Sequence, residues 1–311
     1  MRDRIARAAW FALLGFAVVE LGAHAVTLAR VPATSDWREA AAFVRAQWRP
    51  RDLVSVAPAW ADPLLRQVLG DRIDLAMAGR SDTAAYARLW ALVIRDARVP
   101  EAPARVPELV RRFGRVHVMR WTLDPPTVAY DFVQHVRKAE VSWLRRDVER
   151  DCPWRRFPPP RGGGLGFGVL DPVERFACDA RRGSPWVAAV VMEDLDLMPR
   201  HCVRQAPTGG DTPVRVRYRD VPLGEQIVFH GGLYYEDERM REGGPVVARI
   251  RLDGEVVGTL THVDGDGWKR LVVETPGRAH SRGEVAIEVT APRPRKRGFC
   301  WAASVRAEGG T

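Results

Sequence analysis

"PVVARIRLDGEVVGTLTHV", residues 245–263, decides how the larger part of this 311-residue chain is read. Val246, Ala248, Ile250 and Leu252 alternate with Val247, Arg249 and Arg251, the period of a strand with one face buried. Asp253-Gly254 then interrupts the pattern for two residues, and a second alternating run follows. A two-residue type I′ turn needs positive φ at both centres, which Asp tolerates and Gly adopts freely, so the stretch predicts an antiparallel hairpin. The same grammar extends outward through "WVAAVVMEDLDLMP", "VRVRY", "QIVFHGGL", "KRLVVETP", "EVAIEVTAP" and "FCWAASVRA", separated by Gly, Pro and Asp. Roughly seven or eight such strands predict an antiparallel β-sandwich over residues 185–307.

Upstream the grammar differs. "DWREAAAFVRAQW" sets Trp37, Ala40, Ala41, Val44 and Trp48 on one helical stripe, with Ser35 or Asp36 as N-cap. "DLVSVA" reads as a buried strand, and "DPLLRQVLG" as a helix with Pro63 in its first turn and Gly70 as its stop. "RIDLAMAG" reads as a strand, "DTAAYARLWALVIRDA" as a helix, and "PELVRRFGRVHVMRW" as a helix, a stop at Gly114 and a strand. This alternation predicts an α/β, Rossmann-like layer with a mainly parallel sheet over residues 31–125. Trp37, Trp48, Trp60 and Trp90 are expected in its core. Residues 126–184 read as an irregular connection: "VAYDFVQHVRKAEVSWLRRDV" fits a helix or a long strand, and "FPPPRGGGLGFG" is a breaker-rich loop without a dinucleotide register. Residues 308–311 are a tail. The expected class is α+β multidomain, with one hydrophobic helix at the N-terminus.

That helix sets the address. "MRDRIAR" is basic and "AAWFALLGFAVV" is apolar, the order of an export signal. Ala23-His24-Ala25 fits a cleavage site that would release a protein starting at Val26, whereas residues 8–29 make about 33 Å of helix, enough to cross a bilayer as an uncleaved anchor. The anchor is favoured because "LGAHAVTLA" continues the helical pattern past Glu20. Either outcome exports residues 31–311, and the anchored form places them on the periplasmic side of an inner membrane. Cys152, Cys178, Cys202 and Cys300 are even in number and lack C-x-x-C pairs, so an oxidising compartment predicts two disulfides, Cys152 with Cys178 and Cys202 with Cys300. Four buried thiols would accompany a cytosolic address.

The chain carries a net charge of +9, but the basic residues are scattered arginines with few aromatics among them, which argues for a solvated surface and against nucleic-acid binding. Anionic lipid headgroups are a better partner for such a surface at a membrane. No nucleophile elbow, Walker loop or H-E-x-x-H occurs, so no cofactor, metal or catalytic residue is expected. Two polar clusters are candidate ligand sites. "THVDGDGWKR" brings His262, Asp264, Asp266 and Trp268 into one short stretch, a set whose carboxylates and carbonyls suit Ca²⁺ and whose Trp offers a sugar-stacking face, and "FHGGLYYEDER" brings His230, Tyr234, Tyr235 and Glu236 beside a Gly pair. Rings beside carboxylates suit saccharides, since a ring covers the apolar face of a sugar while the acids accept its hydroxyls. The plainer reading is a Gly-rich hairpin whose Asp residues bond their own backbone and whose Trp packs in the core.

Two resemblances accompany these readings. "SDWREAAAFVRAQWRPRDLVSVAP" with "DPLLRQVLGDRIDL", within residues 8–80, resembles the extracytoplasmic segment that follows the last membrane helix of bacterial polyprenyl-phosphate-sugar-dependent membrane glycosyltransferases. Their catalytic membrane region has no counterpart here. Residues 185–307, with the Gly-Trp hairpin, the "ET" strand end and "FCWAASV", are similar to galactose-binding-like jelly-roll modules. The expectation is a non-enzymatic, exported, membrane-anchored envelope protein whose sandwich binds a glycan or a protein partner. An envelope glycan hydrolase and a structural subunit of a membrane complex are the alternatives.

Overall fold

The computed structural model describes residues 2–145, 148–158, 172–179, 184–209 and 212–307. These divide into two units: one takes the chain up to Ile73 with Tyr86–Leu123, the other Asp74–Ala85 with the chain from Asp124.

The first unit opens with α1 (Arg2–Ala29), whose apolar side chains point outward, Trp10 being 67% and Phe11 74% exposed. Within it an 18-residue window has a mean hydropathy of 1.8, and none of that window is buried in the protein. This is the one helix among the described residues long and apolar enough to cross a membrane. α2 (Thr34–Ala46) buries the expected stripe of Trp37, Ala40, Ala41 and Val44. Its N-cap is Ala33 rather than Ser35 or Asp36; Asp36 is the third helical residue, and its carboxylate accepts from the Ala33 N–H at 3.2 Å. β1 (Asp52–Ala57) and α3 (Asp62–Leu69, with Pro63 in its first turn) form where their patterns predict.

The next elements depart from expectation. The run read as a helix from residue 82 becomes β2 (Arg88–Val93), buried at every position, and "PELVRRF" becomes β3 (Leu109–Phe113), hairpinned to β4 (Val116–Thr122). The sheet order is β1-β2-β4-β3, with β1 and β2 parallel and the other pairs antiparallel, so the mainly parallel Rossmann-like layer is replaced by a small mixed sheet. The cause lies at Asp52. Its buried carboxylate accepts from Arg88 (2.7 and 2.6 Å), the Trp90 indole (2.9 Å) and the Arg49 N–H (2.9 Å). Three of these four bonds come from β2, so pairing β2 to β1 satisfies a buried charge, which outweighs the helix propensity of Ala and Leu. Trp60, expected in the core, is 59% exposed under the guanidinium of Arg95.

The second unit includes a piece of the N-terminal chain. Residues 72–79, read as a strand, contain instead the short helix α4 (Leu75–Ala78), capped by the Asp74 carboxylate. The stretch expected to be irregular supplies five strands: β5 (Thr127–Asp131), β6 (Glu140–Arg145), β7 (Val148–Asp151), β8 (Trp154–Arg156) and β9 (Glu174–Ala177). The ambiguous "VAYDFVQHVRKAEVSWL" thus resolves into β5, a 3₁₀ turn and β6. Most of the breaker-rich loop, from residue 159, lies outside the described residues, as do residues 308–311. Then follow β10 (Trp186–Glu193), β11 (Pro199–Gln205), β12 (Val214–Pro222), β13 (Gln226–Leu233), α5 (Tyr235–Met240), β14 (Val246–Leu252), β15 (Glu255–His262), β16 (Lys269–Glu274), β17 (Arg282–Thr290) and β18 (Phe299–Ala307).

These strands form two sheets, one ordered β16-β13-β18-β11-β10-β9-β8 with β5 on β18, the other β15-β14-β17-β12-β6-β7. The DG hairpin joins β14 to β15, with Asp253 at φ 50° and Gly254 at φ 89°, the two positive values the turn requires. Alternate residues of β12, β14 and β17 pack against Ile227, Phe229, Trp301 and Val305 to make the core. A buried glutamine joins the two sheets across it: Gln205 accepts from the Trp301 indole at 2.8 Å and donates to the Val214 and Ile287 carbonyls at 2.7 and 3.2 Å. Disulfides join Cys152 to Cys178 and Cys202 to Cys300, both within this unit.

Candidate functional site

A cleft of about 360 Å³ opens beside an irregularity in β12. The β12–β17 register shifts between Tyr218 and Val221, which ejects Arg219 and Asp220 from the ladder, Asp220 at φ 55°. A bulge of this kind re-aims side chains that a regular strand would bury or expose in alternation. Arg282, the first residue of β17, donates to the Asp220 carbonyl and carboxylate at 2.6 and 2.8 Å. The opposite wall is the turn after β5. Asp131 organises it, its carbonyl accepting from His135 Nδ1 at 2.7 Å and its carboxylate from the Gln134 N–H at 3.0 Å. A carbonyl only accepts, so Nδ1 carries a proton.

The His135 ring stacks on Tyr130, with centroids 4.3 Å apart and planes at 21°. Tyr130 also stands edge-on to Phe132, itself locked by the fully buried Tyr218, which donates its hydroxyl to the Phe132 carbonyl at 3.0 Å. The aromatic wall therefore rests on the sandwich core. Burial, and then the Asp131 charge, raise the Tyr130 phenol above its ordinary value, so at neutral pH it is a protonated donor. Lys138, Arg219 and Arg282 bring three cations to the lining against one carboxylate, Asp220. Arg219 also pairs with Glu140 at 2.7 Å, which raises its already high pKa. The arrangement offers a half-buried ring pair, charged donors and one acceptor around a space the size of a small saccharide.

The residues singled out from sequence lie elsewhere in this unit. His262 is fully buried and donates Nε2–H to the Gly267 carbonyl at 2.8 Å. Asp264 pairs with Arg297 through both oxygens. Asp266 accepts from the Val263 N–H at 3.0 Å and from Lys269 at 2.8 Å; the Lys269 bond, with the Val263 N–H, lowers its pKa. Trp268 is half-buried against the Gly232 backbone, where a Cβ would come within 2.9 Å of the ring, and the Arg200 guanidinium lies 5.5 Å from its centroid. Tyr234 and Tyr235 meet edge to face at 4.7 Å, and Tyr235 donates to Glu236 at 3.1 Å. Burial, helped by the Tyr235 hydrogen bond and the Glu236 charge, raises the Tyr234 pKa.

Tyr234, Tyr235 and Trp268 do come together, in one apolar cluster with Trp186 and the Cys202–Cys300 bridge. Glu238, which sequence reasoning passed over, joins the two motifs: its buried carboxylate accepts from the Gly265 and Gly267 N–H groups at 3.1 and 2.8 Å. His230 stands apart, buried 3.5 Å from Asp82. Burial above all depresses its pKa to about 4, against the pull of the Asp82 charge. Burial would raise the Asp82 pKa, but the charge and hydrogen bond of Arg306 outweigh it and leave the pKa lowered. Tyr130, His135, Lys138, Arg219, Asp220 and Arg282 carried no sequence signal beyond a Tyr and a His five apart in an ambiguous segment.

No protein-family model matches this chain, and no curated protein matches it. Solved structures similar to it include the CBM51-2 and INT domains of Clostridium perfringens ZmpB, at 13% identity and a TM-score of 0.30 over 55% of this chain and 38% of that one. A CBM51 module from Clostridium perfringens in complex with methyl-galactose matches at 10% identity and a TM-score of 0.29, over 49% of this chain and 94% of that one. The carbohydrate-binding module CBM36 in complex with calcium and xylotriose matches at 14% identity and a TM-score of 0.21, over 35% and 78%. The chain thus spans about two fifths of the first of these, 38%.

Proposed function

We propose that this is an exported protein held at a membrane by α1, whose sandwich binds glycans through the Tyr130 cleft without chemical turnover. The apolar helix at the N-terminus and the two disulfides support export. Anchoring is supported by the exposure of Trp10, Phe11, Leu13, Leu14 and Phe16 along α1, an apolar surface that water disfavours and lipid accepts.

The observation that carries the binding reading is the stacked Tyr130–His135 pair beside Lys138, Arg282 and Asp220 in one cleft. Arg282 is bound to Asp220 and Arg219 to Glu140, which leaves Lys138 as the cation of the lining that favours a sugar bearing a carboxylate or phosphate over a neutral one. A glycosidase needs two carboxyl groups roughly 5–10 Å apart across its cleft. Asp220 is the single carboxylate in this lining and is bound to Arg282, which supports binding rather than hydrolysis.

The test is a glycan array probed with the full-length chain in mild detergent, with acidic and neutral envelope saccharides side by side. Retention on acidic glycans, weakened about tenfold or more by Tyr130→Ala, is expected. Equal signals for Tyr130→Ala and the parent would remove the cleft from the account. N-terminal sequencing tests the anchor separately: Met1 intact in carbonate-washed membranes supports it, and Val26 at the start of a soluble extracytoplasmic form means cleavage after Ala25.

A further inference from the structure

We infer that a second pocket, in the first unit at the end of α1, is a binding site for the phosphate of an anionic lipid headgroup. The inference rests on the reading that α1 lies in a membrane. The pocket has a volume of about 760 Å³ and is lined by Thr27 and Arg30 from the end of α1, Arg95 and Asp96 after β2, and Arg112, Arg115 and His117 of the β3–β4 hairpin. Register explains why they converge: Arg112 lies opposite His117 on β4, and His117 opposite Val93, the last residue of β2. The pocket thus stands just past the carboxyl end of β2.

Four guanidiniums face one carboxylate, Asp96, and among the described residues none of the four is ion-paired. All four arginines are exposed, so the cluster is open to a ligand. Its parts are held in place. Arg112 Nε donates to the Gly114 carbonyl at 2.8 Å, and the Asp36 carboxylate accepts from the Arg115 N–H at 3.0 Å, binding the hairpin turn to the start of α2. Arg95 and Asp96 are consecutive non-glycine residues at φ 56° and 55°. Side chains rarely adopt this backbone conformation, and strain of this kind clusters where a side chain is held for a ligand.

A phosphate relieves the repulsion among the guanidiniums and meets their paired N–H groups with its oxygens, a fit that a lysine cluster would not give. The source follows from α1. Val26 and Leu28, exposed at 51% and 57%, flank Thr27, so a phosphate seated here has an apolar wall beside it for the acyl chains. An outward-facing basic site at the foot of a membrane helix lies at the depth of the headgroups.

The experiment uses the full-length chain in an uncharged detergent, titrated with dihexanoyl phosphatidylglycerol, dihexanoyl phosphatidylcholine and inorganic phosphate, with microscale thermophoresis as readout. Saturable binding of phosphatidylglycerol, tighter than of either other probe, is expected. Arg112→Gln/Arg115→Gln should weaken it by about tenfold or more and Arg30→Gln by a smaller factor, while Arg293→Gln/Arg295→Gln on the other unit leaves it unchanged. The Arg30 variant keeps the test valid if the hairpin variant melts early. Equal binding of phosphatidylcholine or of inorganic phosphate, or variants that bind like the parent, would overturn the proposal. Anchoring fails separately, since cleavage after Ala25 leaves Thr27 and Arg30 in the chain and headgroup binding intact.

Discussion

The two units solve the problem of holding a fold together by different chemistry. The first contains no cysteine and centres on a buried charge, Asp52, saturated by Arg88, Trp90 and Arg49. The second holds all four cysteines, in two disulfides, and a large apolar core across which the buried Gln205 bonds both sheets. A buried ion pair acts in the folded state, where removing one partner strands the other charge away from water, whereas a disulfide acts by restricting the unfolded chain. The difference teaches that oxidation state should matter to one unit only.

Breaking the Cys202–Cys300 bridge should have the largest effect, because it closes a loop with a sequence separation of 98. Cys202→Ser/Cys300→Ser is expected to destabilise the sandwich by about 4–5 kcal/mol. Dithiothreitol should lower the melting of that unit while leaving the first unchanged, as read by calorimetry. A shift of both transitions would erase the contrast. Next comes Asp52→Ala, expected to cost the first unit about 3–5 kcal/mol by leaving Arg88 without its partner, with no change at the disulfide-bonded unit. Asp52→Ala that melts with the parent would show that the network is incidental.

A smaller effect, and one confined to the sandwich, is set by His230. Its ordinary pKa of 6.5 falls to about 4 in the folded chain. The unfolded chain therefore takes up the proton first, and stability that is complete above about pH 6.5 drains away as pH falls towards 4, on the order of 3 kcal/mol. His230→Gln should flatten that part of the denaturation profile, and an unchanged slope would assign the acid sensitivity to other groups. The smallest effect belongs to Asp266→Asn. Its bond to Lys269 is near the surface, so urea melts should move by less than about 1 kcal/mol.

How much of this was legible varies with what surrounds each residue. The β14–β15 hairpin was readable because one face is buried and the other wet, and because Asp253-Gly254 marks its own turn. β2 was not, since every residue from Arg88 to Val93 is buried and a strand covered on both faces shows no period. β3 failed for the opposite reason: its three central residues are exposed, and "LVRRF" alone gives no contrast between faces. The disulfides followed from counting and position. The cleft was hidden because Tyr130, Asp220 and Arg282 come from distant strands and meet through a bulge that only β12's partners impose. The hairpin motif of residues 262–268 was visible, and its carboxylates are held by Arg297 and Lys269.

The most direct measurement sets cleft against hairpin: calorimetric titration of one array-positive acidic saccharide into the full-length parent, Tyr130→Ala and Trp268→Ala. The account predicts that Tyr130→Ala loses the binding heat while Trp268→Ala keeps the parent's affinity. Loss with Trp268→Ala and retention with Tyr130→Ala would contradict it and move the glycan to the hairpin.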